Sequence, residues 1–209
     1  MLDVGGTNKH LDSVFKILLP ELEKEGIDYW VFGGVGVAAY IGKFIRENFD
    51  VDVFVKESDF KKAGAVLQQA CKHNNYKLDV CEPLKNGRPK LNIIIDTERM
   101  SVIPVYTKPG GVLFKFKKGS KEYSSKILER VERNISGYKF FTPPNNYIKE
   151  LFINCLISRP DKKNKPKIKD CDARVILTKE EFMKIYNEQI PAKKRKLDRK
   201  LTAKEEKDV

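Results

Sequence analysis

The 209-residue chain has little of what builds a disulfide framework or a zinc site. It holds four cysteines, Cys71, Cys81, Cys155 and Cys171, with no Cys-x-x-Cys pair, and two histidines, His10 and His73. That scarcity excludes the usual zinc spacings and leaves reduced thiols in a cytoplasmic protein as the expectation. No apolar run reaches the roughly 20 residues of a membrane-spanning helix, so no membrane partner is expected. The opening Met1-Leu2-Asp3-Val4-Gly5-Gly6 lacks the basic region and apolar core of a secretion signal. Acidic residues are outnumbered, 29 against 41 Lys and Arg, for a net charge of +12. Half of that excess lies beyond residue 160, where sixteen Lys and Arg face ten Asp and Glu. A basic surface suits triphosphates, RNA or any polyanion, although solubility of a lysine-rich chain is the plainer reading. Hydrophobic content of 41% is ample for a globular core.

The informative stretch is 29–59. Tyr29-Trp30-Val31-Phe32 has the aromatic and branched residues of a buried strand, and Gly33-Gly34 closes it with a backbone free of Cβ. A helix is expected from about Val35, with Ala38 and Ala39 inside it and Gly42 as its C-cap. The next strand, 49–55, is apolar except for Asp50 and Asp52. Residues at i and i+2 of a strand share a face, so the two carboxylates project together. Paired ionised carboxylates repel, and a hard divalent cation removes the conflict. Amides freed at a helix N-terminus by Gly33 and Gly34 make an anion site. A phosphate cradle beside a carboxylate pair points to Mg²⁺-assisted chemistry on a nucleoside triphosphate.

Gly33-Gly34, fifteen intervening residues and then Asp50-Val51-Asp52 resembles the signature of the nucleotidyltransferase (polymerase β-like) superfamily. The nearer likeness is to the antibiotic nucleotidyltransferases acting on aminoglycosides at the 2″ hydroxyl or on lincosamides. In these a Gly-Arg-x-x-Arg segment precedes the Asp-x-Asp strand, and Gly42-Lys43-Phe44-Ile45-Arg46 stands in register here with Lys43 for the first arginine. Asp59 matches the acidic residue that opens the next helix. The resemblance implies an α/β fold with a mixed sheet flanked by helices, and a nucleoside monophosphate moved from an NTP to a hydroxyl. Asp50 and Asp52 would hold two Mg²⁺ ions with the NTP bound. Gly33, Gly34 and Arg46 would meet the triphosphate. One departure stands out. Members carry a third acidic residue on a later strand, and the matching segment Met100-Ser101-Val102-Ile103-Pro104-Val105 places Ser101 there. Serine is neither a base near neutral pH nor a good metal ligand. Asp96, in a turn just before, is the other polar candidate, though 96–99 also reads as an ordinary polar turn. Lys169, in a Lys-Asp-x-Asp segment similar to the family's C-terminal helix, is a candidate triphosphate contact and equally a solvated lysine.

Elsewhere the pattern is coarser. Leu11, Val14, Phe15, Leu18, Leu19 and Leu22 follow helical spacing, with Pro20 expected to kink that helix or break it early and Gly26 to end it. A helix from Ser58 or Asp59, a strand at 76–80 and a hairpin of 91–95 with 100–106 complete the sheet, with 112–116 as a lysine-guarded edge strand. The expected division is a nucleotidyltransferase-like domain over 1–118, a mainly helical part over 119–191 and a charged tail over 192–209, solvated helix or disordered end. Three functional readings follow. They are an NTP-dependent transferase acting on a small-molecule or RNA hydroxyl, a homologue that binds nucleotide or RNA without turnover, and a toxin-type enzyme acting on tRNA. A cationic aminoglycoside suits this acid-poor chain badly. The oligomeric state, the NTP and the acceptor are left open.

Overall fold

Tyr29–Phe32 forms β1, and all four of its side chains are buried. A strand this apolar must be covered on both faces, and it is. The structure, a computed structural model, describes residues 5–81, 89–95, 98–116, 119–158 and 171–189. The chain divides into two compact units, Met1–Pro160 and Asp161–Val209.

The first unit is built on a seven-stranded mixed sheet. β1 runs antiparallel to β2 (Asp50–Lys56), which runs parallel to the long β5 (Glu98–Lys108). β4 (Lys90–Ile95) and β3 (Lys77–Cys81) continue the sheet antiparallel, giving the order β1-β2-β5-β4-β3. The far end of β5 pairs with β6 (Gly111–Lys115), and β6 with β7 (Ser120–Ser124). Segment 112–116 is therefore not an edge. β7 takes that place, a strand of largely polar residues in which Tyr123 is the buried one. A separate hairpin joins β8 (Val131–Ile135) to β9 (Tyr138–Thr142), so 119–142 holds three strands and one 3₁₀ turn, Ser125–Leu128, where a mainly helical part is expected.

Each face of the sheet has its own filling. Val51, Val53, Val55, Met100, Val102, Leu91 and Ile93 are buried on one side, against which α3 (Glu57–Asn74) lays Ala63, Leu67, Ala70 and Cys71. The expected N-terminal residues Leu11, Val14, Phe15, Leu18, Leu19 and Leu22 are all buried. Their backbone is helical throughout and changes type along its length: 3₁₀ over Gly5–Leu11, π over Val14–Leu18, and then α1 (Leu19–Lys24). Pro20 lacks the N–H that a continuous α-helix needs and falls in the first turn of α1, where that N–H is not required. Gly26 then closes α1 in the left-handed conformation, with Ile27 N–H reaching back to Leu22 O at 2.9 Å.

The opposite face carries an aromatic core of Trp30, Phe32, Phe54, Phe114, Phe116 and Tyr123, with Ile103, Val105 and Leu151. Trp30 stacks on Phe54 at 5.1 Å, and Phe114 meets Phe54 edge-on at 4.8 Å. Leu151 comes from α4 (Asn145–Ser158), whose Ile148, Leu151 and Phe152 are buried. In the second unit α5 (Cys171–Ile176) precedes α6 (Lys179–Gln189). Thr178 and Glu181 form a reciprocal capping box at the start of α6, with bonds of 2.9 and 3.2 Å. Residues 159–170 and the charged tail expected at 192–209 lie outside the described residues. Among the described residues no helix is long and apolar enough to cross a membrane.

Two measurements test this packing. Phe54 is fully buried between Trp30 and Phe114, so Phe54→Ala should cost about 3–5 kcal/mol in urea unfolding. Asp12 accepts from Lys16 Nζ and from Tyr138 OH, both at 2.6 Å, and these bonds hold its carboxyl below the usual range. Its stabilisation is full above about pH 4 and lost as pH falls through the lowered folded-state value. Asp12→Asn should flatten the stability curve on that acid limb alone.

Candidate active site

β1 passes into α2 (Gly33–Ile41) without a loop. Phe32 is still extended, Gly33 takes φ +68°, and the helix follows at once. Its other end closes at Gly42, left-handed at φ +86°, as the sequence predicts. Phe32 pairs with Asp52 across the β1–β2 register, which sets Asp52 beside the turn. A Cβ on Gly33 would lie 2.7 Å from Asp52 Oδ2. Gly33 is therefore required twice, for its backbone conformation and for the carboxylate packed against it.

Asp50 lies two residues before Asp52 in β2 and on the same face, exposed, with Arg99 as its cross-strand partner. Ser101 pairs with Asp52 and is 4% exposed. It donates its hydroxyl to Asn92 Oδ1 at 3.1 Å, and Asn92 is its register partner in β4. Phe32, Asp52, Ser101 and Asn92 thus form one row across four neighbouring strands. The position where the third acid is expected holds a hydroxyl tied to an amide.

Beyond Gly33 the first turn of α2 is covered by the 42–49 loop. A Cβ on Gly34 would collide with the Arg46 guanidinium and lie 2.7 Å from Asn48 Oδ1. The structure therefore brings Gly33, Gly34, Arg46 and Asp52 to one corner, with Asp50 on the adjoining strand. Lys169 and Asp96 lie outside the described residues. Sequence reading missed Asn48, which is 2% exposed. A buried asparagine in a polar loop leaves no periodic trace, and its place just ahead of the Asp-x-Asp strand was the available signal.

Among the described residues no three or more His, Cys, Asp or Glu side chains gather as a metal cluster. The donors at this corner are the carboxylates of Asp50 and Asp52, two hard oxygen groups. That set fits Mg²⁺, which is commonly held by one or two carboxylates with substrate phosphates completing the shell. It does not fit zinc, which favours nitrogen and sulfur.

The family model of the aminoglycoside-2″-adenylyltransferases matches residues 14–83, about one third of the chain. That span carries Gly33, Gly34, Arg46, Asp50 and Asp52 and stops short of Ser101. The crystal structure of the lincosamide antibiotic adenylyltransferase LnuA with lincomycin bound is 19% identical, with a TM-score of 0.51 over 83% of this chain and 96% of that one. ANT(2″)-Ia in complex with adenylyl-2″-tobramycin is 13% identical, at 0.56 over 86% and 97%. The solution structure of ANT(2″)-Ia is 14% identical, at 0.56 over 95% and 98%. The chain has the nucleotidyltransferase fold. No curated protein matches the chain. The resemblance read from the Gly-Gly and Asp-x-Asp segments is borne out, and so is the mixed α/β sheet flanked by helices.

In this nucleotidyltransferase fold Gly33→Ala is the sharpest local test. The left-handed conformation alone should cost about 1–2 kcal/mol, and the new Cβ must displace the Asp52 carboxylate. The variant should stay folded by circular dichroism and unfold at lower urea.

Proposed function

We propose that the chain transfers a nucleoside monophosphate from an NTP to a hydroxyl of a small molecule or an RNA, releasing pyrophosphate. The observation that carries this reading is the Asp52 carboxylate packed on Gly33 at the N-terminus of α2, with Asp50 on the same sheet face. Asp50 and Asp52 would hold Mg²⁺, which supplies Lewis-acid polarisation of the phosphoryl oxygens when bound. Amides at the start of α2 accept the negative charge of the triphosphate. Arg46, laid over Gly34, offsets it further. The acceptor oxygen forms its bond to the α-phosphorus as the bond to the bridging oxygen breaks; pyrophosphate leaves with that electron pair and the acceptor proton passes to solvent water. Holding these groups in place before the reaction is most of what such a site contributes.

The solved relatives are described with lincomycin and with adenylylated tobramycin, so a small polyhydroxy acceptor is the first class to assay. With Arg99 opposite Asp50 and a net charge of +12, a neutral or anionic acceptor suits this chain better than a polycation. Lys169 is proposed as a further triphosphate contact, and the cytoplasm as the compartment.

The Ser101–Asn92 hydrogen bond favours one other reading, nucleotide binding without turnover. In that case the native chain releases no pyrophosphate from any of the four NTPs, and Ser101→Asp restores release. For the main reading, Asp52→Ala should abolish Mg²⁺-dependent NTP binding in calorimetry together with transfer. Undiminished affinity in that variant would remove the assignment.

A further inference from the structure

The loop that covers α2 has no regular structure of its own, and two residues far away in the chain hold it. Phe44, fully buried, packs edge-on against Tyr138 at 6.2 Å. The second anchor is Asn8, in the 3₁₀ turn at the N-terminus and 0% exposed. Its Nδ2 donates to Arg46 O at 3.1 Å. Its Oδ1 accepts from Asn48 N–H at 2.8 Å and from Asn48 Nδ2 at 3.2 Å. One carboxamide therefore clasps the backbone of both residues whose side chains lie over Gly34. One further group steadies the clasp: His10 Nε2 bonds Asn48 O at 2.7 Å.

We propose that Asn8 is a positioning residue of the nucleotide site, fixing the backbone from which Arg46 and Asn48 reach the first turn of α2. The inference rests on the reading of that corner as a triphosphate site. Arginine has several freely rotating bonds, and a floating backbone adds to the ordering cost of bringing its guanidinium to a phosphate. The clasp removes the backbone share of that cost before nucleotide arrives. A buried amide that makes these three bonds is also hard to replace, because deleting it strands the Asn48 N–H and leaves Arg46 C=O with the Asn48 Nδ2 bond of 3.1 Å.

A fastener of the N-terminus and a positioning residue both lower stability when removed, and a double-mutant cycle on nucleotide affinity separates them. With the tightest-binding Mg²⁺–NTP in calorimetry, Asn8→Ala should weaken affinity about tenfold, and Arg46→Ala at least as much. The double variant should bind within about twofold of Arg46→Ala, because without the guanidinium there is nothing for Asn8 to place. In turnover the loss should fall on KM, with kcat within threefold. Tyr76→Phe, which removes the Tyr76–Ser13 bond in the same N-terminal region, should lower the melting temperature and leave affinity unchanged. If Asn8→Ala does not fold, the isosteric Asn8→Asp serves, since it accepts from Asn48 but cannot donate to Arg46 O, and its loss should also vanish in the Arg46→Ala background. Independent, additive losses from positions 8 and 46, or unchanged affinity at position 8 while Asp52→Ala and Arg46→Ala weaken binding, would overturn the clasp and leave the nucleotide site standing.

Discussion

The register between β1 and β2 is the constraint on which the candidate site depends. Pairing Phe32 with Asp52 is what sets a carboxylate against the Gly33 turn. A slip of one residue would send Asp50 and Asp52 to the α3 face and Val51 and Val53 to the other. Aromatic packing further along the same strands guards against that slip. Trp30 and Phe54 are register partners and stack, and Phe114 closes on Phe54 from the side. The same face is thus apolar at one end and polar at the other. The oily end fixes the register, and the register aims the acids.

Much of this corner was legible because its signals are local. An apolar four-residue strand, a Gly-Gly and an Asp-x-Asp on a second apolar strand each mean something within a few residues. The helix after Gly33 and its cap at Gly42 were likewise readable from small residues and a glycine at the expected distance. The strands that went unread are those whose burial is one-sided and sparse. β7, Ser-Lys-Glu-Tyr-Ser, buries Tyr123 and leaves its remaining side chains exposed or half-buried, so no alternation shows. β8, Val-Glu-Arg-Asn-Ile, buries Ile135 in the same way. Their assignment as strand is decided by the partners that pair with them, which composition cannot reveal. The N-terminal segment shows the converse. Its apolar spacing named the right buried residues, while the succession of 3₁₀, π and α backbone between them leaves no trace in that spacing.

The polar contacts around Gly34 were invisible for a different reason. Asn8 and Asn48 are 40 positions apart, and each looks like an ordinary loop asparagine until the fold buries both. Burying amides is tolerable when their groups find partners, and here each amide serves the other and the backbone of the loop. Such pairs belong to the tertiary fold alone.

Ser101 shows how the two halves of the corner can be decoupled. A carboxylate at a position 4% exposed beside Asp52 would be a third negative charge taken out of water, tolerable only with a cation in place. A serine donating to Asn92 carries no charge and has its hydrogen bond satisfied inside the sheet, so this side of the site is settled before any metal or nucleotide arrives. The groups proposed to meet a nucleotide lie on α2, the 42–49 loop and β2, whereas the strands beyond, β5 and β4, continue the row with neutral side chains. A serine at that position is not a general base near neutral pH.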